Sequence, residues 1–175
     1  MSIINISSEE TNTILSIDEI KNFLRIDFND DDNLLKKALN TATKQCELRI
    51  SRTLVQKTYI LSSYDPIKDN KIDLEYDPIK SITKIEVIDK EGNTKELSTS
   101  SYRLDKTRNC VYFLNIPTNY YKIDITYIAG YEVVPEDLKQ ALLFHIAKIY
   151  EDKSGYYPIP KASSNIYKNY KKIRL

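Results

Sequence analysis

The period of the apolar positions changes twice along this chain, from helical to alternating and back to helical. Ser16-Ile17-Asp18-Glu19 has the form of a capping box, in which the serine oxygen accepts from an early helix amide and the glutamate reaches back to the cap. It predicts a short helix over 17–26. The run Asp27-Phe28-Asn29-Asp30-Asp31-Asp32-Asn33 then breaks the helix with residues that favour turns and caps, and its carboxylates suit the positive N-terminus of a second helix. That helix is expected over 31–51. Its apolar positions Leu35, Ala38, Leu39, Ala42, Cys46 and Ile50 keep to one face, and the small alanines admit a close neighbour.

From Thr53 to Gly130 the segments shorten and become rich in Ile, Val, Thr and Tyr, with Asp-Pro, Asp-Asn and Glu-Gly-Asn turns between them. Strands are expected over 55–61, 71–74, 82–89, 94–97, 102–104, 110–114 and 122–128. Lys122-Ile123-Asp124-Ile125-Thr126-Tyr127 alternates well, which implies one wet face and an antiparallel sheet. The 82–89 segment is less cleanly two-sided. No strand–helix–strand crossover occurs, so a doubly wound nucleotide fold is not expected.

Pro135 opens a third helix, expected at its first turn and running over 135–152, with Glu136 and Asp137 matched to the helix dipole. Leu138, Ala141, Leu142, His145, Ile146 and Ile149 form one apolar row. Leu143, Phe144, Ala147 and Tyr150 form a second, which points to a partner subunit covering it, the alternative being burial of both rows within one monomer beneath the sheet. The resulting fold class is α+β: an N-terminal helix pair (16–52) and a C-terminal helix (135–152) in a small bundle, with an antiparallel β region (53–130) inserted between them. At 175 residues the chain is expected to be a single domain.

Residues 153–175 differ in character. Lys161, Lys168, Lys171, Lys172 and Arg174 occur without a carboxylate, interleaved with Tyr156, Tyr157, Tyr167 and Tyr170. Tyrosine offers large contact area at low rotamer cost, which favours an adhesive arm over a solvated end or a nucleic-acid contact.

Charge and chemistry narrow the function. A net charge of +1 gives no global commitment to nucleic acid or membrane, so any asymmetry must be local. No long apolar run suggests a signal peptide or membrane span, and a soluble chain is expected. Cys46 and Cys110 lack metal or redox spacing and are expected to be reduced, partly buried thiols. His145, the only histidine, lies in an apolar row, where a satisfied core imidazole is the ordinary outcome. Three isolated glycines cannot build a phosphate-cradling loop. Asp27, Asn29 and Asp31 match the first positions of a calcium loop, but Asp32 stands where its glycine belongs and Ala38 where its bidentate glutamate belongs. Neither catalysis, nor a metal, nor a cofactor is expected.

Taken together, the 17–26 helix with its acidic hinge and long successor, the segment Ile125-Thr126-Tyr127-Ile128-Ala129-Gly130-Tyr131, and the helix start Val134-Pro135-Glu136-Asp137-Leu138-Lys139-Gln140-Ala141 resemble the head–tail connector, or head-completion, family of tailed bacteriophages, prophages and gene transfer agents. The resemblance spans roughly residues 14–152 in order.

It implies a non-enzymatic virion protein at the head–tail junction, made in the bacterial host cytoplasm, without a cofactor or membrane partner. Such proteins form rings, commonly dodecameric, beneath the portal. They extend the DNA channel, hold DNA only as channel contents, and offer a surface to the next tail-side component. Leu143, Phe144, Ala147 and Tyr150 would then face a neighbouring subunit. By position and chemistry, Tyr156, Tyr157, Ile159, Ile166, Tyr167 and Tyr170 are the expected apolar anchors on the portal protein, with Lys171, Lys172 and Arg174 pairing with its acidic groups. Removal of everything after Asp152 is expected to abolish docking and leave the core folded. The competing reading is a nucleic-acid-binding module using the basic aromatic tail, whose affinity would fall steeply with salt.

Overall fold

The structure is a computed structural model that describes residues 2–9, 14–115, 119–152 and 158–172. In chain order its elements are β1 (Ser2–Glu9), α1 (Ile17–Leu24), α2 (Asp32–Ile50), β2 (Lys57–Ser63), β3 (Lys71–Asp73), β4 (Ile79–Ile88), β5 (Thr94–Glu96), β6 (Tyr102–Asp105), β7 (Cys110–Phe113), β8 (Lys122–Ala129), α3 (Glu136–Glu151) and α4 (Lys161–Asn169). The class is α+β, with all strand pairs antiparallel. Two compact units make up the chain: a sheet unit of residues 1–12 and 55–132, and a helical unit of residues 13–54 and 133–175.

In the sheet unit, five strands run in the order β1-β2-β8-β4-β5 and three more in the order β3-β7-β6. Ile123, Ile125 and Tyr127 of β8 alternate inward as their spacing requires, and meet Leu61, Ile85, Val87, Val111 and Phe113 in one buried cluster. The other face of β8 is polar: Asp124 accepts from Ser62 Oγ at 2.6 Å and from Lys122 Nζ at 2.8 Å. The blurred alternation of β4 has a physical cause. Its register against β8 shifts between Ile79 and Ser81 and again between Ile82 and Lys84, so the residues on either side of each irregularity change face.

Gly130 ends β8 at a φ of 127°, and a Cβ there would stand 2.5 Å from the Val55 carbonyl oxygen and 2.7 Å from the Gln56 amide. No side chain fits that approach, which accounts for the glycine in the Ala129-Gly130-Tyr131 segment.

β1 is an element the residue pattern did not predict. It pairs with β2 alone, and of its isoleucines only Ile4 packs against the buried cluster, while Ile3 and Ile6 stay exposed. Its residues therefore lack the alternation that a half-buried strand displays.

In the helical unit the capping box of α1 forms as expected. Ser16 Oγ accepts from the Glu19 amide at 3.1 Å and Glu19 accepts from the Ser16 amide at 2.7 Å, which holds the Glu19 carboxyl below its ordinary pKa. Arg25 in the left-handed region ends α1, two residues before the predicted limit. The predicted row Leu35, Ala38, Leu39, Ala42, Cys46 and Ile50 of α2 is buried throughout. Pro135 is the N-cap of α3 rather than a residue of its first turn, and Pro160 caps α4 in the same way. No helix among the described residues is long and apolar enough to cross a membrane.

Candidate functional site

The two rows of α3 have different fates. Leu138, Ala141, Leu142, His145, Ile146 and Ile149 are buried, as their 3.6-residue spacing requires. Of the second row, Leu143, Ala147 and Tyr150 are half-buried and Phe144 stays 39 % exposed. The chain covers this row only in part. Phe23 of α1 meets Phe144 edge-on, with ring centroids 5.8 Å apart, and the Tyr150 hydroxyl donates to Asp31 Oδ2, a hydrogen bond that, with burial, raises the phenol pKa.

The acidic hinge before α2 gathers around a lysine. Lys21 Nζ donates to Asn29 Oδ1 and pairs with Asp32 Oδ1 at 3.0 Å, although Lys21 itself is nearly sealed from solvent. Asp31 occupies the N-cap position, yet its side chain bonds no helix amide, so the expected capping by that carboxylate does not form. Its side chain answers Tyr150 instead. Among the described residues no three His, Cys, Asp or Glu side chains gather as metal ligands would.

The C-terminal segment is more ordered than its composition indicated. Tyr156, Tyr157 and Arg174 lie outside the described residues. Of the described residues 158–172, Lys161–Asn169 form α4, and the stretch lies on α2 and α3 through specific bonds. Ser163 Oγ donates to the Ala141 carbonyl at 2.8 Å, the Tyr170 hydroxyl donates to Asp137 Oδ1, and the Lys172 amide donates to the Ile50 carbonyl at 2.8 Å. Ile159, Ile166, Tyr170 and Lys172 are half-buried, and Lys171 is exposed.

Tyr167 is wholly buried, so its ring serves the interior of the unit and offers no surface to a partner. This also changes the meaning of a truncation. Removing α4 would take the Tyr167 ring away from Cys46 and His145, so the core would not be left undisturbed as the sequence suggested. The signal was present in Ser163, Tyr167 and Tyr170 at helical spacing, but the polar residues around them masked it.

Around Tyr167 sits a small polar cluster. Its hydroxyl lies 3.4 Å from His145 Nδ1 and contacts the Cys46 thiol, while His145 Nε2 has no hydrogen-bond partner. The imidazole is thus only half satisfied. Burial pushes the thiol up to about 12 and the imidazole down to about 4, which keeps both neutral at physiological pH. A protonated thiol and a sealed neutral ring pack well and present no activated nucleophile to solvent. Both cysteines are free and buried.

Comparison with known proteins bears on the whole of this arrangement. A family model described as "Head completion protein" matches residues 13–156. Among solved structures, a chain of the neck of an empty gene transfer agent particle computed with C6 symmetry superposes with a TM-score of 0.81 at 21% identity, covering 99% of this chain and 97% of that one. A chain of the virion of a native gene transfer agent particle gives 0.82 at 20% identity, and one from the neck of a native particle computed with C12 symmetry gives 0.79 at 20%, with the same coverage. A search of curated proteins found no match.

Proposed function

The chain belongs to the head completion protein family, and from that premise we propose that it is the head–tail connector of a tailed phage, prophage or gene transfer agent. In this role it forms a ring beneath the portal, extends the DNA channel and presents a surface to the next tail-side component. The supporting observation is extent: a fold shared with neck subunits over 99% of this chain and 97% of theirs leaves little of either chain for another task.

The half-covered row Leu143, Phe144, Ala147 and Tyr150 is assigned to the contact between neighbouring subunits. The portal contact is assigned to the C-terminal segment, through Tyr156, Tyr157, Ile159, Ile166 and Tyr170 as apolar anchors and Lys171, Lys172 and Arg174 as charge partners. Tyr167, sealed inside the unit, positions α4 for that contact.

Native mass spectrometry of the chain mixed with the portal protein encoded beside it tests the reading. A discrete complex with one copy per portal subunit is expected. Absence of a complex while both proteins remain folded counts against it. Because truncation would disturb the core, the docking segment is better tested by Lys171→Glu, at an exposed position, which should weaken the complex and leave thermal unfolding unchanged.

A further inference from the structure

Near-neutrality of the whole chain conceals a local separation of charge. The helical unit carries fifteen basic residues against eleven acidic ones, the sheet unit eleven against fourteen. Within the helical unit the signs separate again, and each gathers beside exposed apolar side chains.

On α2, Lys37 and Lys44 stand two turns apart, roughly 10 Å along the axis, on the side opposite the buried row. Lys36 lies beside them. All three are exposed, and none makes an ion pair with a described residue. Leu48, one turn beyond Lys44 on the same line, is 81 % exposed, the most exposed large hydrophobic side chain among the described residues. Leu48 thus puts an apolar side chain in water at the end of a line of lysines that pair with no described residue.

The complementary surface lies where the acidic hinge meets α3. Phe23, Phe28 and Phe144 are exposed there, and Asp27, Asp30 and Glu151 are exposed carboxylates that form no ion pair with a described residue. The Phe23–Phe144 contact and the Tyr150–Asp31 bond hold the hinge against α3; Asp27, Phe28 and Asp30 lie within four residues of Asp31 in the chain, and Glu151 follows Tyr150.

We infer that these surfaces are the two halves of a single interface between copies of this chain, with the Lys37–Lys44–Leu48 line of one subunit seated on the Phe23–Phe28–Phe144 surface of the next. The inference rests on the ring reading and supplies what covers Phe144. Opposite charges align the copies while Leu48 enters the aromatic surface. Because the halves differ, the contact is heterologous, and it generates a ring when the rotation closes. A DNA duplex on the same lysines would leave Leu48 and the phenylalanines in water, so a second copy is the better occupant.

Zero-length carbodiimide coupling of the full chain, mixed from unlabelled and 15N-labelled protein at high concentration, tests this directly. Mixed-isotope peptides joining Lys37 or Lys44 to Asp27, Asp30 or Glu151 are expected, and Lys37→Glu with Lys44→Glu should cut the remaining intermolecular coupling about tenfold. Mixing that variant with an Asp27→Lys, Asp30→Lys chain should restore the assembly that neither supports alone, because every junction between the two then joins opposite charges. A chain carrying all four reversals should regain assembly by itself.

Oligomers whose intermolecular links avoid the α2 lysines would overturn this interface and leave the ring reading standing. A chain that gives no intermolecular links would also overturn it, and the portal mixture then decides the ring reading separately.

Discussion

The hydroxyl of Tyr167 lies 3.4 Å from Nδ1 of His145, and both rings are sealed from solvent although Tyr167 belongs to a nine-residue helix. A helix that short has little stability of its own, so its place depends on what it buries. Tyr167→Ala should therefore cost about 3–5 kcal/mol and detach α4, whereas Tyr167→Phe should cost about 1 kcal/mol. Urea denaturation followed by circular dichroism, with amide exchange at residues 161–169, separates the two.

His145 gives the helical unit an acid limit. Its pKa is lowered from 6.5 to about 4 by burial, so the unfolded chain binds the proton more readily than the folded one. Stability from this group is present above pH 6.5 and is lost as pH falls toward 4, by at most about 3 kcal/mol. His145→Gln should flatten that part of the stability curve. Equal slopes for variant and parent between pH 6.5 and 4 would show that the ring does not titrate in this way.

Gly130→Ala should be severely destabilising for the sheet unit, because the added methyl meets the backbone of Val55 and Gln56 and φ is unfavourable as well. A loss of about 2–4 kcal/mol is expected from strain and displaced backbone together. Gly92, at a φ of 88° and with nothing within 4 Å of where a Cβ would stand, should cost about 1 kcal/mol on the same change. Parallel urea titrations give the ranking.

Ser16→Ala removes the oxygen that receives the Glu19 amide and leaves the Glu19 carboxylate with half of its reciprocal pair. About 1 kcal/mol should be lost, with Ser16→Thr nearly neutral. Thermal unfolding at neutral pH is sufficient to see it.

Where side chains report their own surroundings, the residue pattern was enough. Ser16 and Glu19 announce α1, the Leu35-to-Ile50 row announces α2, and the alternation of 122–127 announces a central antiparallel strand. β1 was not legible because its hold on β2 is made by backbone bonds while most of its side chains face water. α4 was hidden for the converse reason: only Ser163 and Tyr167 are buried, so nine residues carry two positions of core signal. The second row of α3 is apolar in the sequence, but its partners Phe23 and Asp31 come from elements whose approach no local spacing encodes.

The meeting of Gly130 with the backbone of Val55 and Gln56 has a consequence beyond stability. Residues 55 and 130 are the entry and exit of the sheet segment inserted between α2 and α3, and they touch. An insert whose ends coincide adds no span to the path it interrupts, so it can lengthen, shorten or be exchanged for another module while the flanking helices keep their connection. The same join is a natural point for grafting, where a foreign domain with adjacent termini could replace residues 56–130, provided that β1, which pairs with β2 alone, is removed with them.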